Sequence, residues 1–585
     1  MEKPGTPADT PHPHPAPPLD RSPKRRNGHL RMSIGGSRLK GCTSDNLLSA
    51  HRVESWHDQP MAIMDGVLAR LDLVAAVEKE LSTANRLMPS RPDRLALMPS
   101  AQHVAKWLSG QYARGRFGAP ASVLLVDKNR RGTRPMSELS LSDRVLYRAL
   151  VNLISQTLPE WVVTRMPIAE FRESPLSSSG VRYISKADVA SYYEFIDHDM
   201  LHDELLSQTG ESAAIGALTH LLERVMGRRV GLPQIHKASD ILGDAYIDPV
   251  RRQLRRSGFE AYTFSDDFLI ASPSLAAARN ALEACATAVR GRGLVLNESK
   301  TFTYGVRKYR TSLSEFATAE RKLFEVEGLE LLRSDDYADA DTQEVPPGVT
   351  EPGEPTLAGQ AEDDVIEDVS NAQSVGETPQ VEAHQEAAAM RAWEMWMSED
   401  ESDETQSGQA AAITQSLLGR ALPILGAAGH YELLEGLSLV LRYEPSLTPQ
   451  VVKYLASLAG TSPAARAKIR VQLDELMRED NFSLWQRMWL ADAAGSVRRG
   501  KGDHSHYDWL AECVSSAPAP LAATAAAAMG RLGLGKPDLL AGALDRVGPA
   551  WRSLVFWGLT QMDASAADGN AEDQIERLMV KAVEA

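Results

Sequence analysis

The 585-residue sequence predicts a mixed α/β domain followed, across an acidic linker, by an all-α region. Three observations predict it. Residues 56–332 have the composition of a mixed α/β domain. Residues 333–409 are acidic, contain proline and hold few large apolar side chains. From residue 410 onward helical periods follow one another, broken by Gly and Pro, with no β-rich segment between them. A chain of this length should hold two or more domains, each burying its own core.

Taken in order, residues 1–55 are rich in Pro, Gly, Ser and basic side chains and are expected to be a disordered arm, with the cluster "RSPKRR" open to phosphates. The segment has no apolar core of the secretory-signal kind. Cys42, Cys285 and Cys513 form no metal or redox spacing, which points to a reducing, cytoplasmic setting. No apolar run reaches spanning length, so no membrane partner is expected. The net charge of −15 is misleading: Ser334 to Gln409 carries 21 Asp/Glu against one Lys/Arg, which leaves the rest of the chain near about +5. That acidic stretch cannot bury enough surface to offset chain entropy and is expected to be a disordered linker, with "AAAMRAWEMWM" (Ala387–Met397) a short helix able to dock. The helices of 410–585 suggest a HEAT-like repeat domain, an irregular bundle being the nearest rival.

The chemistry concentrates in "EAYTFSDDFLIAS". Its pattern reads as a β-hairpin with Ser265, Asp266 and Asp267 at the tip. Two adjacent carboxylates repel and raise each other's pKa unless a cation neutralises them, and Mg²⁺ favours carboxylate and phosphate oxygens. Upstream, "YISKADVA" reads as a buried strand ending near Asp188, and "DHDMLHDELL" opens a helix with Asp197 or His198 near its N-cap. An aspartate at the exit of a central strand can meet a hairpin tip on the neighbouring strand. Three carboxylates would then hold one or two cations, as in phosphoryl or nucleotidyl transfer. Alone, the Asp-Asp turn would be an ordinary surface hairpin.

It is not alone. "DVASYYEFIDHDML", "GLPQIHKASDILGDAYIDPV", "FSDD" and "GLVLNESKT" follow one another in the order of the palm motifs of reverse transcriptases, and "VDKNRRGTRPMSELSLSDRVLYRAL" resembles that family's fingers. The sequence between Val123 and Thr303 resembles the reverse transcriptases of bacteria, retrons and group II introns. The resemblance implies a right-hand-type polymerase with N-terminal helices and fingers over 56–180 and a palm over 181–332. It implies two Mg²⁺ ions, with Mn²⁺ able to substitute, held by Asp188, its neighbour Val189, Asp266 and Asp267. Lys128 and Arg134 would meet the incoming dNTP triphosphate, and Lys300 the pyrophosphate. Tyr193 would block a 2′-hydroxyl, and Gln234 would line the nucleotide pocket. Gly231, Pro233 and Ser239 would lie against template or primer. Ile235 stands where most relatives have glycine, and Phe264 where they have tyrosine.

A palm followed by a long helical region is similar to the abortive-infection and other defence-associated reverse transcriptases of bacteria. That resemblance implies RNA-directed DNA synthesis in antiphage defence. Some members of the group prime from a protein hydroxyl, some dispense with a conventional template, and some are homo-oligomers. The alternatives are a retron- or intron-derived enzyme copying a dedicated non-coding RNA, a silent nucleic-acid-binding scaffold, and a metal-dependent nuclease. The last does not explain "GLPQ".

Overall fold

The computed structural model describes residues 63–128, 132–313, 379–398, 408–497 and 503–584. The expected arm over 1–55, Arg130 and Arg131, and most of the acidic segment lie outside them. One part of that segment is described and is helical: Pro379–Met397 buries Ala388, Ala389, Ala392 and Trp396, so the expected linker contains a docked helix. The Ala/Trp side of an otherwise acidic stretch supplies the apolar face.

Helix Leu73–Ser82 packs on helices Ala101–Tyr112 and Leu141–Ser155, and a hairpin of β1 (Ser122–Asp127) and β2 (Thr133–Glu138) packs against helix Leu484–Ser496. A second sheet holds β3 (Tyr183–Asp188), β4 (Glu260–Phe264), β5 (Asp267–Ser272) and β6 (Phe302–Gly305) in the order β4-β5-β3-β6, all antiparallel. Side chains alternate across a strand. Ala187, Phe268 and Ile270 therefore face helices Lys237–Arg256 and Leu275–Arg290 in the main core. Ile184 and Leu269 point the other way, into a small cluster with Phe171, Phe264 and Tyr309. Lys186 and Asp188 share the face of Ile184, and Asp267 shares that of Leu269. The period of two thus delivers all three charged groups to the side opposite the helices.

The helices of the C-terminal part stack in order. Gly408–Ala428, Thr448–Thr461, Leu484–Ser496, Ala519–Leu532 and Pro549–Met562 each pack on the one before, with shorter helices between them. Close approach needs small residues. A Cβ on Gly495 would lie 2.8 Å from the Ala528 Cα, and one on Gly558 would lie 2.5 Å from the Ala526 carbonyl. This explains the buried "AATAAAAMG" run.

The stack is tied to the N-terminal helices and the β1–β2 hairpin. Trp485 Nε1 donates to the Leu87 carbonyl at 2.5 Å, Trp551 Nε1 to Ser122 Oγ at 2.9 Å, and Ser553 Oγ to Asp93 at 2.6 Å. Beneath this junction lies a buried charge network. Arg91 grips Asp93 with two bonds of 2.9 and 2.8 Å and reaches Glu138 at 3.0 Å. Arg94 also pairs with Glu138, Arg144 donates to Glu80 at 2.7 Å, and Arg148 pairs with Glu80. No helix among the described residues is long and apolar enough to cross a membrane.

Candidate active site

The turn Ser265-Asp266 joins β4 to β5, with Ser265 in the left-handed region at φ 53°. Two-residue hairpins need such a backbone, and a small polar residue tolerates it. The register sets Asp188, last in β3, opposite Asp267, first in β5, while the Val189 amide donates to the Asp266 carbonyl at 3.1 Å. Residues 77 and 79 apart in sequence are thereby fixed side by side by the backbone ladder. The helix His198–Thr209 that follows is capped by Asp197, whose side chain accepts from the Met200 amide at 2.8 Å.

Charge at this spot is unbalanced. Burial, then the facing carboxylates of Asp267 and Asp188, push the Asp266 carboxyl up to about 7. Asp267 is raised as well, by burial and by Asp188, with Lys186 opposing. Lys300 Nζ donates to Asp188 Oδ1 at 3.1 Å, and Lys186 Nζ lies 3.6 Å from Asp267 Oδ1, a buried oxygen with no hydrogen-bond partner. Among the described residues no three His, Cys, Asp or Glu side chains form a ready-made metal cage. The carboxylates share a face, and lysines sit on two of them. The donor set is hard oxygen with an excess of negative charge, and one buried oxygen lacks a hydrogen-bond donor; such a set suits Mg²⁺ or Mn²⁺.

The other expected site residues divide into two groups. Tyr193 is near the turn: its hydroxyl lies 3.1 Å from Ser265 Oγ and donates to Asp240 Oδ1 at 3.0 Å. Gln234 donates to Glu194 at 3.0 Å and is partly open to solvent. Lys128 and Arg134 lie at the far end of the β1–β2 hairpin, where the Lys128 amide donates to the Gly132 carbonyl at 2.8 Å. Gly231, Pro233 and Ser239 are buried. The Ser239 hydroxyl is used internally, between Tyr147 and the Pro233 carbonyl. Gly231 takes φ 96°, with its amide on the Ile196 carbonyl and its own carbonyl accepting from His198. These three shape the loop from within. Ile235, in the usual glycine position, adopts φ 64°, a strained state for a β-branched residue.

Sequence reasoning missed Lys186 and the group around Arg165. Arg165 donates to Asp244 at 2.5 Å and to the Asp240 carbonyl at 3.2 Å, and its guanidinium lies 5.5 Å from the Phe264 ring centre. Lys186 was legible: two residues before Asp188 on a strand is the same face. Arg165 carried no such signal.

Residues 126–314 match the family model described as reverse transcriptase (RNA-dependent DNA polymerase). Among solved structures, telomerase from Candida albicans, in complex with a TWJ fragment of telomeric RNA, is similar at 11% identity and a TM-score of 0.25, over 64% of this chain and 66% of that one. Telomerase from Candida tropicalis, in the same kind of complex, is similar at 10% identity and a TM-score of 0.24, over 66% and 67%. The chain spans just under two thirds of the length of the first of these. A search of curated proteins gave no match. By the family match, the segment 126–314 is a reverse transcriptase domain, and its enzyme class is RNA-directed DNA polymerase, a nucleotidyltransferase.

Proposed function

We propose that this chain polymerises dNTPs on an RNA template in a divalent-cation-dependent reaction and serves antiphage defence. The observation that carries the polymerase reading is the register that sets Asp188 against Asp267, with Asp266 raised to about 7 beside them. Asp188, Asp266 and Asp267, with the backbone of Val189, would hold the ions. Bound there, divalent cations would supply activation of a 3′-hydroxyl and neutralisation of the departing pyrophosphate.

The chain's own residues do the rest. Lys300 leaves Asp188 for the phosphate oxygens of the incoming nucleotide. Lys128 and Arg134, on the fingers hairpin, act as a point charge and a fork toward the triphosphate. The Tyr193 ring stands against the sugar and favours deoxynucleotides. Gln234 lies beside the nucleotide pocket. The defence role is supported by the union of a palm with a long stack of helices, read as a HEAT-like repeat domain. RNA, DNA product, a non-coding RNA and further copies of the chain are the partners this reading admits, in the cytoplasm.

Purified protein with Mg²⁺ or Mn²⁺ is expected to incorporate labelled dNTPs on RNA templates, and Asp266→Asn to abolish incorporation. Equal behaviour of wild type and variant across templates would overturn the polymerase reading. Proteinase treatment of the product distinguishes DNA attached to protein from free DNA.

A further inference from the structure

The turn that carries Asp266 and Asp267 is held by more than its own hairpin. Ser265 is 1% exposed and has a left-handed backbone, a state that a residue other than glycine keeps only when its surroundings enforce it. The two-residue turn sets that state, and the Ser265 hydroxyl, 3.1 Å from that of Tyr193, ties the turn to its surroundings. A phenol has one proton to donate. Tyr193 gives it to Asp240 Oδ1 at 3.0 Å, so the Ser265 hydroxyl is the donor to the Tyr193 oxygen. Asp240, on helix Lys237–Arg256, is fixed in turn by Arg165, whose Nη1 lies 3.4 Å from Oδ1 and whose Nη2 donates to the Asp240 carbonyl at 3.2 Å. The same Nη2 reaches the Tyr193 oxygen at 3.4 Å. A directed relay therefore runs from Ser265 through Tyr193 to Asp240, with Arg165 clamping its far end.

We propose that the Tyr193 hydroxyl is a positioning group that sets the Asp266–Asp267 turn through Ser265, separately from any role of the ring against the nucleotide sugar. This rests on the polymerase reading. Two functions then divide within one side chain. The ring selects the sugar, and the hydroxyl aligns the carboxylates.

The division is open to test with full-length protein in steady-state incorporation of dNTPs and rNTPs. Tyr193→Phe keeps the ring and removes only the hydroxyl. Ser265→Gly removes the other hydroxyl while suiting the positive φ. Each is expected to lower kcat about tenfold, equivalent to about 1.4 kcal/mol, with the dNTP KM held within about twofold. Tyr193→Phe should leave the preference for dNTPs over rNTPs unchanged, and the double variant should be no slower than either single one. Should Ser265→Gly fail to fold, Asp240→Ala removes the relay's acceptor and should show the same kcat loss. Wild-type kcat in the single variants, additive losses in the double, a lost sugar preference in Tyr193→Phe, or changes confined to KM would each overturn the proposal. If wild type incorporates no dNTPs, or Asp266→Asn still does, the polymerase reading itself fails and this proposal falls with it.

Discussion

At the turn of the second sheet, Asp188, Asp266 and Asp267 gather with two lysines at their edge. Under the N-terminal helices, Glu80, Asp93 and Glu138 gather among Arg91, Arg94, Arg144 and Arg148. Both clusters gather three carboxylates, fully buried in the second and partly so in the first, yet their electrostatics run in opposite directions. Burial alone would push Glu80 up, but Arg144 and Arg148 hold it down to about 2. Asp93 likewise is pushed up by burial but sits at about 2, held by Arg91 and Arg94. Asp266 is carried up to about 7. The difference lies in what faces the carboxylate: guanidiniums of fixed geometry and permanent charge in one place, other carboxylates in the other. A closed ion network is a structural joint, and here it joins the β1–β2 hairpin, the "GLPQ" loop and the C-terminal helices. His236 of that loop, pushed down to about 4 by burial and by Arg144, donates from Nε2 to the Ser137 carbonyl as a neutral ring. An open carboxylate cluster is a place for an added cation.

The largest effect should come from breaking the closed cluster. Arg144→Met leaves Glu80 and Glu138 short of a partner, and breaking one side of a buried pair costs about 3–5 kcal/mol. Chemical denaturation should register that loss at neutral pH. A change below about 1 kcal/mol would mean that the network is no joint.

Removing a charge from the open cluster should do the reverse. The folded-state pKa of Asp266 is raised, so the folded protein binds a proton that the unfolded chain has released. Without divalent cations, stability falls as pH rises from the ordinary carboxylate range to about 7. Asp266→Asn removes that slope: thermal melts should match wild type near pH 4 and exceed it near pH 8, by an amount on the order of 1–3 kcal/mol. Mg²⁺ should flatten the wild-type slope and leave that of the variant alone. A variant less stable than wild type at pH 8 would contradict the comparison.

How much of this was legible in the sequence depends on the range of each signal. The hairpin carrying Asp266 and Asp267 was legible because a two-residue turn between apolar runs is a local pattern, and the strand ending at Asp188 because its burial shows as a continuous run. The N-cap at Asp197 and the docking helix in the acidic segment were local too. The motif order gave the resemblance to reverse transcriptases, whose family model matches residues 126–314. Arg165, Asp240 and Asp244 were not legible: their contacts span 75 and 79 residues and no periodicity links them. Nor was the arginine–carboxylate network, whose members look like ordinary helix-surface charges until the helices pack. Ser239, Gly231 and Pro233 were legible as a motif, but their burial was not: a motif fixes which residues occur, while packing decides which of them face in.

Lys300 offers the finest discrimination between the two clusters. Its ammonium occupies Asp188 Oδ1 at 3.1 Å, and its side chain is 29% exposed. A partly exposed lysine pair contributes about 0–1 kcal/mol, so Lys300→Met should barely change stability, unlike any arginine of the closed network. Its effect should appear in ion binding. On the proposed function Lys300 and a divalent cation would compete for the same oxygen, and removing the lysine would remove a like charge from the ion's surroundings. The Mg²⁺ concentration at half-maximal incorporation should fall, by roughly two- to fivefold, while the dNTP KM rises because a phosphate contact is gone. An unchanged Mg²⁺ requirement together with an unchanged KM would place Lys300 among the solvated surface lysines. A stability loss of about 3 kcal/mol would place it with the arginines, as a structural counter-ion that no substrate displaces.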